Sequence, residues 1–267
     1  MCRVLVLVSW CALILCLLCS PVWAGDDQQT GSSASRQKFL SRYEFHLNLA
    51  SLSGSLEQFA WDADFGGGLD FIDYGKGRIS ASANYETIMG SEFQPFDPNQ
   101  GNYKLEVVTS HRFGERSELS GVFSHVSRHF GDRVREFPID WNMAGLGYSY
   151  RHTDKRLFVE SRGRVLWTTL RSFVDYKFMA IGGVSGRYSL TDSVEWIGGA
   201  EFTTIGVERT VRGRGTQRGG YVESGVRLAG GVAAVEFFLA FERRIDADAR
   251  DLSPRSWAML GFRLVPR

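Results

Sequence analysis

The sequence predicts an all-β protein, a transmembrane antiparallel β-barrel of about 12 strands, an even number as is usual for bacterial barrels. Three observations support this fold class. Apolar and polar residues alternate in many segments of strand length, the polar set mixes both charges, and short connections alternate with longer ones. Successive side chains of a strand point to opposite faces, so such alternation places one row in lipid and the other in the lumen.

The first 24 residues are expected to form a cleaved signal peptide. Arg3 provides the positive start, residues 4–18 are almost wholly apolar, and Ala24 is a small residue suited to cleavage. The apolar stretch is shorter than a membrane-spanning helix requires. Export of this kind, followed by a barrel, predicts the outer membrane of a Gram-negative bacterium as the location, with the barrel-assembly machinery as a partner during biogenesis.

Two further segments follow the signal peptide. Residues 25–41 are rich in Gln, Ser, Gly and Asp, which predicts a flexible leader. Residues 42–267 contain only five prolines and are dense in Gly, aromatic and β-branched residues. They are expected to form one barrel domain.

Cysteine usage and charge narrow the class of protein. All four cysteines lie in the first 24 residues, so the mature chain has none. Cys16 and Cys19 each follow a leucine rather than a small residue, which argues against a lipoprotein. An exported domain without disulfides needs a large core or a closed sheet in a membrane. Removing Arg3 leaves 30 basic and 30 acidic residues, and this balance argues against nucleic acid as a partner.

The individual strands follow from the alternation. It is clearest near the C-terminal end, where Val235, Phe237 and Leu239 fall on one face and Glu236 and Glu242 on the other. Short turns follow the even-numbered strands, and most connections after odd-numbered strands are longer, which predicts periplasmic turns and extracellular loops. The predicted strands are 42–51, 58–72, 77–89, 102–113, 117–127, 140–152, 156–168, 174–190, 194–207, 220–229, 232–243 and 256–265.

The polar face of these strands is predicted to line the lumen. A water-soluble sandwich would show a solvated face rich in Lys and Thr, whereas Arg, Glu and Asp mix here in strand after strand. Mixed charges of this kind either line a narrow channel or close it by ion pairing, so a passive channel or a surface protein is one functional hypothesis. The predicted luminal residues are Asp62, Asp64, Asp70, Glu86, Glu160, Arg162, Arg164, Lys177, Arg187, Glu195, Glu201, Glu223, Arg227 and Glu236.

A histidine and a serine near the end of the fifth strand form the candidate catalytic site. Leu119 and Phe123 mark the odd positions of this strand as lipid-facing, so His125 and Ser127 are expected to point toward the membrane at the extracellular end. On the next strand, Asn142 and Asp140 are expected on the same face and at the same height. Antiparallel neighbours can bring such residues into contact.

This His-x-Ser pair with a polar residue on the adjacent strand resembles outer-membrane phospholipase A and the lipid A 3-O-deacylases. The resemblance implies an outer-leaflet acyl-ester hydrolase with His125 as the base, Ser127 as the nucleophile, and Asn142 or Asp140 holding the imidazole. The phospholipase resemblance would add calcium as a cofactor; otherwise no cofactor or metal is expected. The Asn-Gly that follows the phospholipase serine is absent, and Arg128 and His129 stand there instead.

A second resemblance covers the following loop. The sequence at 127–133, Ser-Arg-His-Phe-Gly-Asp-Arg, is similar to the Ser-Ser-His-Leu-Gly-Asp-Glu stretch of an uncharacterised family of bacterial outer-membrane barrels. It implies that His129 and Asp132 lie at a loop tip. The final Glu of that stretch is Arg133 here. A simpler interpretation of the whole region stays open, namely that these polar side chains only lie at headgroup depth, as the lipid-facing His111 does near the other end.

Four arginines, Arg209, Arg212, Arg214 and Arg218, fall in or beside a predicted extracellular loop. Guanidinium groups pair bidentately with phosphate, so these residues are candidates for binding lipopolysaccharide headgroups. A solvated basic loop is the alternative. The expected partners are therefore outer-membrane lipids and lipopolysaccharide.

Overall fold

The computed structural model describes residues 37–54, 56–130, 137–248 and 252–267. In these residues twelve antiparallel strands form one closed barrel, in which β1 pairs with β12. The predicted fold class is therefore confirmed. The strands are β1 (Lys38–Leu52), β2 (Trp61–Asp73), β3 (Gly77–Gly90), β4 (Asp97–Phe113), β5 (Ser117–His129), β6 (Ile139–Thr153), β7 (Leu157–Ser172), β8 (Tyr176–Ser189), β9 (Val194–Val207), β10 (Gln217–Ala229), β11 (Ala233–Arg244) and β12 (Arg255–Pro266).

Helical structure is confined to one short element. Helix α1 (Arg209–Arg212) is a single turn in the β9–β10 connection, ended by Gly213 in the left-handed region with φ 66°. No helix among the described residues is long and apolar enough to cross a membrane.

Several strands are longer than the alternation predicts. β1 begins at Lys38, so residues 38–41, which were expected in the leader, belong to the barrel wall. β4 begins at Asp97 and β7 ends at Ser172, in both cases beyond the predicted bounds. Bulges interrupt the pairing near these ends. A bulge inserts one residue and breaks the period of two, so the alternation gives no signal there. The predicted signal peptide lies outside the described residues.

The outer face of the barrel is apolar, as the alternation requires. On β11, Phe237, Leu239 and Phe241 are each more than half exposed, whereas the intervening Glu236 and Phe238 are buried inside. Every strand except β3 carries exposed large apolar side chains, and rows of this kind form the surface that lipid chains cover.

The lumen has two different halves. In the half next to the short turns, charged side chains line a cavity of about 780 Å³. Ion pairs cross it, including Arg164 to Glu106 at 3.0 Å and Arg162 to Glu201 at 2.9 Å. The ion pairs of this half agree with the predicted luminal face, and those of Asp62 and Glu86 lie in the other half. Lys177 is an exception, because it lies at a bulge near the extracellular end, 3.5 Å from Glu208.

The extracellular half of the lumen combines apolar side chains with an ion-pair network, in which Arg244 lies 2.9 Å from Asp62, 3.2 Å from Glu86 and 2.7 Å from Glu242. One cluster gathers around Ile88 and Phe238, and a second around Met143 and Leu166; all four are at most 2% exposed. The sequence pattern did not predict these clusters. The alternation was recognised from the outward row of apolar residues, and a few apolar residues in the inward row do not change that row.

The β11–β12 connection folds into the mouth of the barrel. Asp246 and Ala247 are 2% and 1% exposed, and Asp246 has a left-handed backbone with φ 50°. Arg128 on β5 donates to the Asp246 carbonyl oxygen at 3.1 Å, and the Tyr176 hydroxyl donates to its carboxylate at 2.6 Å. The Arg214 guanidinium also contacts this carboxylate. We call Arg128, Asp175, Tyr176, Arg214 and Asp246 the mouth cluster.

Candidate active site on the outer wall

β5 carries the candidate site on its lipid-facing side. Glu118, Ser124 and Arg128 are buried on the inner side of this strand, so the odd positions point outward. His125, Ser127 and His129 therefore form one outward row at the extracellular end. In a strand, residues two apart share a face and lie about 7 Å from one another.

His125 is held from the neighbouring strand. It is the register partner of Asn142 on β6, and its Nδ1 lies 2.6 Å from Asn142 Oδ1. Since an amide oxygen only accepts, Nδ1 carries the proton and donates it. In the neutral ring the lone pair is then on Nε2, which is the arrangement a general base requires. The structure thus brings together His125 and Asn142, two of the residues that the sequence suggested.

Ser127 has a different partner from the one expected. Its Oγ lies 3.0 Å from Nε2 of His129, and the described residues include no hydrogen bond between Ser127 and His125. The Tyr103 ring, directly across on β4, lies edge-on to His129 with a centroid distance of 5.1 Å. Both histidines are two residues from the serine, so sequence spacing could not decide which of them its hydroxyl meets. The side-chain rotamers decide it.

Asp140 lies opposite Ser127 rather than opposite His125. Its carboxylate has no hydrogen-bond or ion-pair partner in the part of the chain that the structure describes, so the contact to the imidazole is made by Asn142. Asp132, the other predicted residue of the loop tip, lies outside the described residues. His129 is the last residue of β5 rather than part of the loop.

The surroundings of this row are apolar. Leu105, directly across from His125 on β4, and Leu146, lower on β6, are more than half exposed in the lipid-facing belt. On the extracellular side, Phe137 and Phe173 stack with ring centroids 4.2 Å apart. The polar row is therefore a small island on an otherwise apolar wall. Across the described ranges, no three histidine, cysteine or acidic residues are grouped as a metal site would need.

The four predicted headgroup arginines separate into different environments. Arg214 lies in the mouth cluster, with Nη2 2.6 Å from Asp175 and Nη1 2.6 Å from Asp246. Arg212 donates to the Phe173 carbonyl oxygen at 2.6 Å, while Arg209 and Arg218 are exposed. Arg214 therefore differs from the expectation of a free headgroup ligand. Its two carboxylate partners come from distant connections, which the sequence alone could not bring together.

Electrostatics in the mouth cluster follow from this contact. Burial alone would raise the pKa of Asp175, but hydrogen bonds and charge attraction from Arg214 outweigh it, so the pKa is lowered. Burial opposes the charge of Arg214 in the same way, and the two carboxylates overcome it and raise the pKa of the guanidinium. Both groups are therefore ionised, and they hold the β7–β8, β9–β10 and β11–β12 connections together.

Sequence reasoning missed some residues of these sites. The alternation of Tyr103 and Leu105 with Lys104 marks Tyr103 as lipid-facing, and the short turn between β4 and β5 could have placed it beside Ser127. The alternation on β11 could also have placed Arg243, two residues after Phe241, on the outward face. Asp175 and Asp246 carried no such signal, because each lies in a connection and meets Arg214 only through the closed fold.

Comparison with known proteins gives the fold and little more. No family model matches the chain, and no curated protein sequence matches it. Among solved structures, LpxR from Salmonella typhimurium superposes with a TM-score of 0.50 at 6% identity, over 84% of this chain and 99% of that one. The KdgM porin in complex with disordered oligogalacturonate gives 0.49 at 9% identity, over 82% and 97%. A Pseudomonas aeruginosa FadL homologue gives 0.42 at 9%, over 84% and 88%.

The likeness to LpxR shows the fold alone. The fold is that of the outer-membrane β-barrels of Gram-negative bacteria, which agrees with the apolar outer wall and the polar island near its extracellular end. The resemblance to the family with the Ser-Ser-His stretch stays a prediction, because none of the comparisons bears on it.

Proposed function

We propose that this outer-membrane barrel hydrolyses acyl-ester bonds of lipids in the outer leaflet. Ser127 is the nucleophile, His125 the general base, and Asn142 the residue that orients the imidazole. The observation that carries the proposal is the 2.6 Å hydrogen bond from His125 Nδ1 to Asn142 Oδ1 on the lipid-facing wall, two residues from a serine on the same face.

The chemistry needs each of these three groups. A serine hydroxyl is a weak nucleophile until a base takes its proton, and the base must present its lone pair toward the hydroxyl. Ser127 Oγ would attack the ester carbonyl carbon while its proton passes to Nε2 of His125. Collapse of the tetrahedral intermediate breaks the ester bond, and the imidazolium returns the proton to the departing alcohol. Water then hydrolyses the acyl-enzyme by the same steps and releases the fatty acid.

The location of the site suits such a substrate. Lipid esters lie at the boundary between the acyl chains and the headgroups, and the polar row begins where the apolar belt on β4, β5 and β6 ends. Leu105 beside His125 and Leu146 below it would contact the acyl chain. A soluble ester would lack these contacts, so a lipid is the better substrate.

The contact between Ser127 and His129 has to change before the reaction. Rotation of Ser127 about χ1 to another staggered rotamer moves Oγ from one neighbour of its row toward the other. His129 is the competing base in this proposal, and only a comparison of variants can separate the two histidines.

The test is fatty-acid release by the purified protein in detergent, with phospholipid or lipid A as substrate, in the presence and absence of calcium. We expect Ser127→Ala and His125→Ala to lose about 10²-fold or more of the rate. His111→Ala is the matched control, since His111 is another outward histidine, packed on Phe113 near the opposite end, and this variant should keep full activity.

Two results would contradict the proposal. Equal release by the wild type and Ser127→Ala would end the hydrolase assignment. Loss of activity in His129→Ala with full activity in His125→Ala would move the role of base to His129.

A narrow channel is a second candidate function, favoured by the charged cavity of about 780 Å³ inside the barrel. The apolar clusters and the mouth cluster fill the other half of the lumen, so conduction requires the β11–β12 connection to move. Planar-bilayer recordings test this idea. The channel hypothesis predicts ion steps that become more frequent in Arg214→Ala, and silence in both proteins would contradict it.

A further inference from the structure

Two exposed arginines end the lipid-facing rows of β10 and β11. Val222 and Phe241, each at least half exposed, are the outward residues near them in the apolar belt. Arg218 and Arg243 follow on the same faces at the extracellular end. Gly220 is the register partner of Arg243, and Arg218 lies two residues from Gly220 on the same face. The two arginines are therefore diagonal neighbours, with Cβ atoms on the order of 7 Å apart.

These arginines lack the carboxylate partners that the luminal arginines have. In the described ranges neither Arg218 nor Arg243 forms an ion pair or a hydrogen bond through its side chain. Their neighbours across the other strand pairings are uncharged: Thr204 lies beside Arg218, and Ser256 lies beside Arg243. Inside the barrel, by contrast, Arg227 is within 3.3 Å of two glutamates.

An unpaired guanidinium at the edge of a lipid-covered surface needs a counter-ion from its surroundings. At this height the surroundings are the headgroups of the outer leaflet. Guanidinium forks match phosphate oxygens bidentately, and two forks on neighbouring strands can converge on one phosphate. Gly220, between the two arginines, adds no side chain of its own, and Phe202 on β9 borders it on the other side.

We propose that Arg218 and Arg243 form a binding site for a phosphate group of lipid A in the outer leaflet. Exposed Arg209, at the start of α1, would be a third contact from the loop above. The site replaces the four-arginine loop that the sequence suggested, because Arg214 and Arg212 are engaged within the protein. It lies on strands away from β5 and β6, so it does not depend on the proposed hydrolase.

The experiment measures binding of diphosphoryl lipid A to the full-length protein in zwitterionic detergent micelles, by native mass spectrometry and by the shift of the thermal unfolding midpoint. Arg218→Gln/Arg243→Gln should bind about tenfold more weakly or worse. Arg116→Gln/Arg156→Gln is the matched control. It removes the same charge from exposed arginines in two short turns at the other end of the barrel, and we expect wild-type binding.

Two further lipids identify the ligand. Lipid A whose phosphates have been removed by phosphatase should bind the wild type and the Arg218/Arg243 variant equally. Phosphatidylglycerol should bind the wild type more weakly than diphosphoryl lipid A does. Equal binding of diphosphoryl lipid A by the wild type and the Arg218/Arg243 variant would overturn the site. Equal binding of phosphatidylglycerol and lipid A would overturn the assignment to lipid A. Retained far-ultraviolet circular dichroism of the variant shows that the barrel is intact.

Discussion

Asp175 and Asp246 contact the same guanidinium, that of Arg214, at 2.6 Å each, although they belong to different connections of the barrel. Asp175 is fully buried and Asp246 is 2% exposed. Two buried carboxylates this close would repel each other strongly without a cation between them. Arg214 is thus the residue on which the closed extracellular mouth depends.

Arg214→Ala should destabilise the barrel strongly. Removing one member of a buried ionic group leaves the others uncompensated, which costs about 3–5 kcal/mol. The measurement is the urea midpoint of unfolding in detergent. Arg209→Ala, which removes an exposed arginine from the same connection, should change the midpoint little. An unchanged midpoint in Arg214→Ala would contradict the role of the mouth cluster.

The stability of the wild type should fall in acid through Asp175. Arg214 lowers the pKa of Asp175 below the ordinary 3.8, so the folded state holds this proton less tightly than the unfolded chain does. The stabilisation is therefore complete above pH 3.8 and is lost as the pH falls through the lower, folded-state pKa. Urea midpoints measured from pH 6 to pH 2 should fall less steeply in Asp175→Asn. Parallel curves for the two proteins would contradict this assignment.

Phe238 should matter far more for stability than its neighbour Phe237. Phe238 is 2% exposed inside the barrel, under the Arg263 guanidinium, whereas Phe237 is 52% exposed on the lipid-facing wall. Phe238→Ala leaves a cavity and should cost about 3–5 kcal/mol. Phe237→Ala is the control, and its cost in detergent should be clearly smaller. Urea unfolding of both variants tests the prediction. Equal losses of stability would contradict the assignment of Phe238 to the interior and Phe237 to the lipid-facing wall.

In the proposed hydrolase, Asn142 acts on catalysis by positioning His125. Asn142→Leu should lower kcat by about 10²-fold with little change in KM, because the substrate does not need this amide for binding. Asn142→Asp should keep part of the rate and move the acid limb of the pH profile upward, because a carboxylate stabilises the imidazolium. A purely structural role would leave the pH profile of Asn142→Asp unchanged.

The sequence alone determined which residues form the outer and inner faces of the barrel wall. Side-chain direction in a strand alternates with a period of two, so the rows around Phe237 and Glu236 could be assigned to lipid and lumen from local pattern. The same parity placed Asn142 and Asp140 on the lipid-facing side of β6 near His125, but it left open which of the two contacts the imidazole. Where bulges broke the period, as at the ends of β4 and β7, the predicted bounds were too short.

Only the tertiary structure decided how the interior is filled and which polar groups meet. Ser127 contacts His129 rather than His125. Both histidines are two residues away, and the side-chain rotamers determine which of them the hydroxyl meets. Arg214 meets Asp175 and Asp246 because closing the barrel brings three connections to one mouth. Contacts between residues far apart in the chain depend on closure and packing, and neither leaves a periodic signal in the sequence.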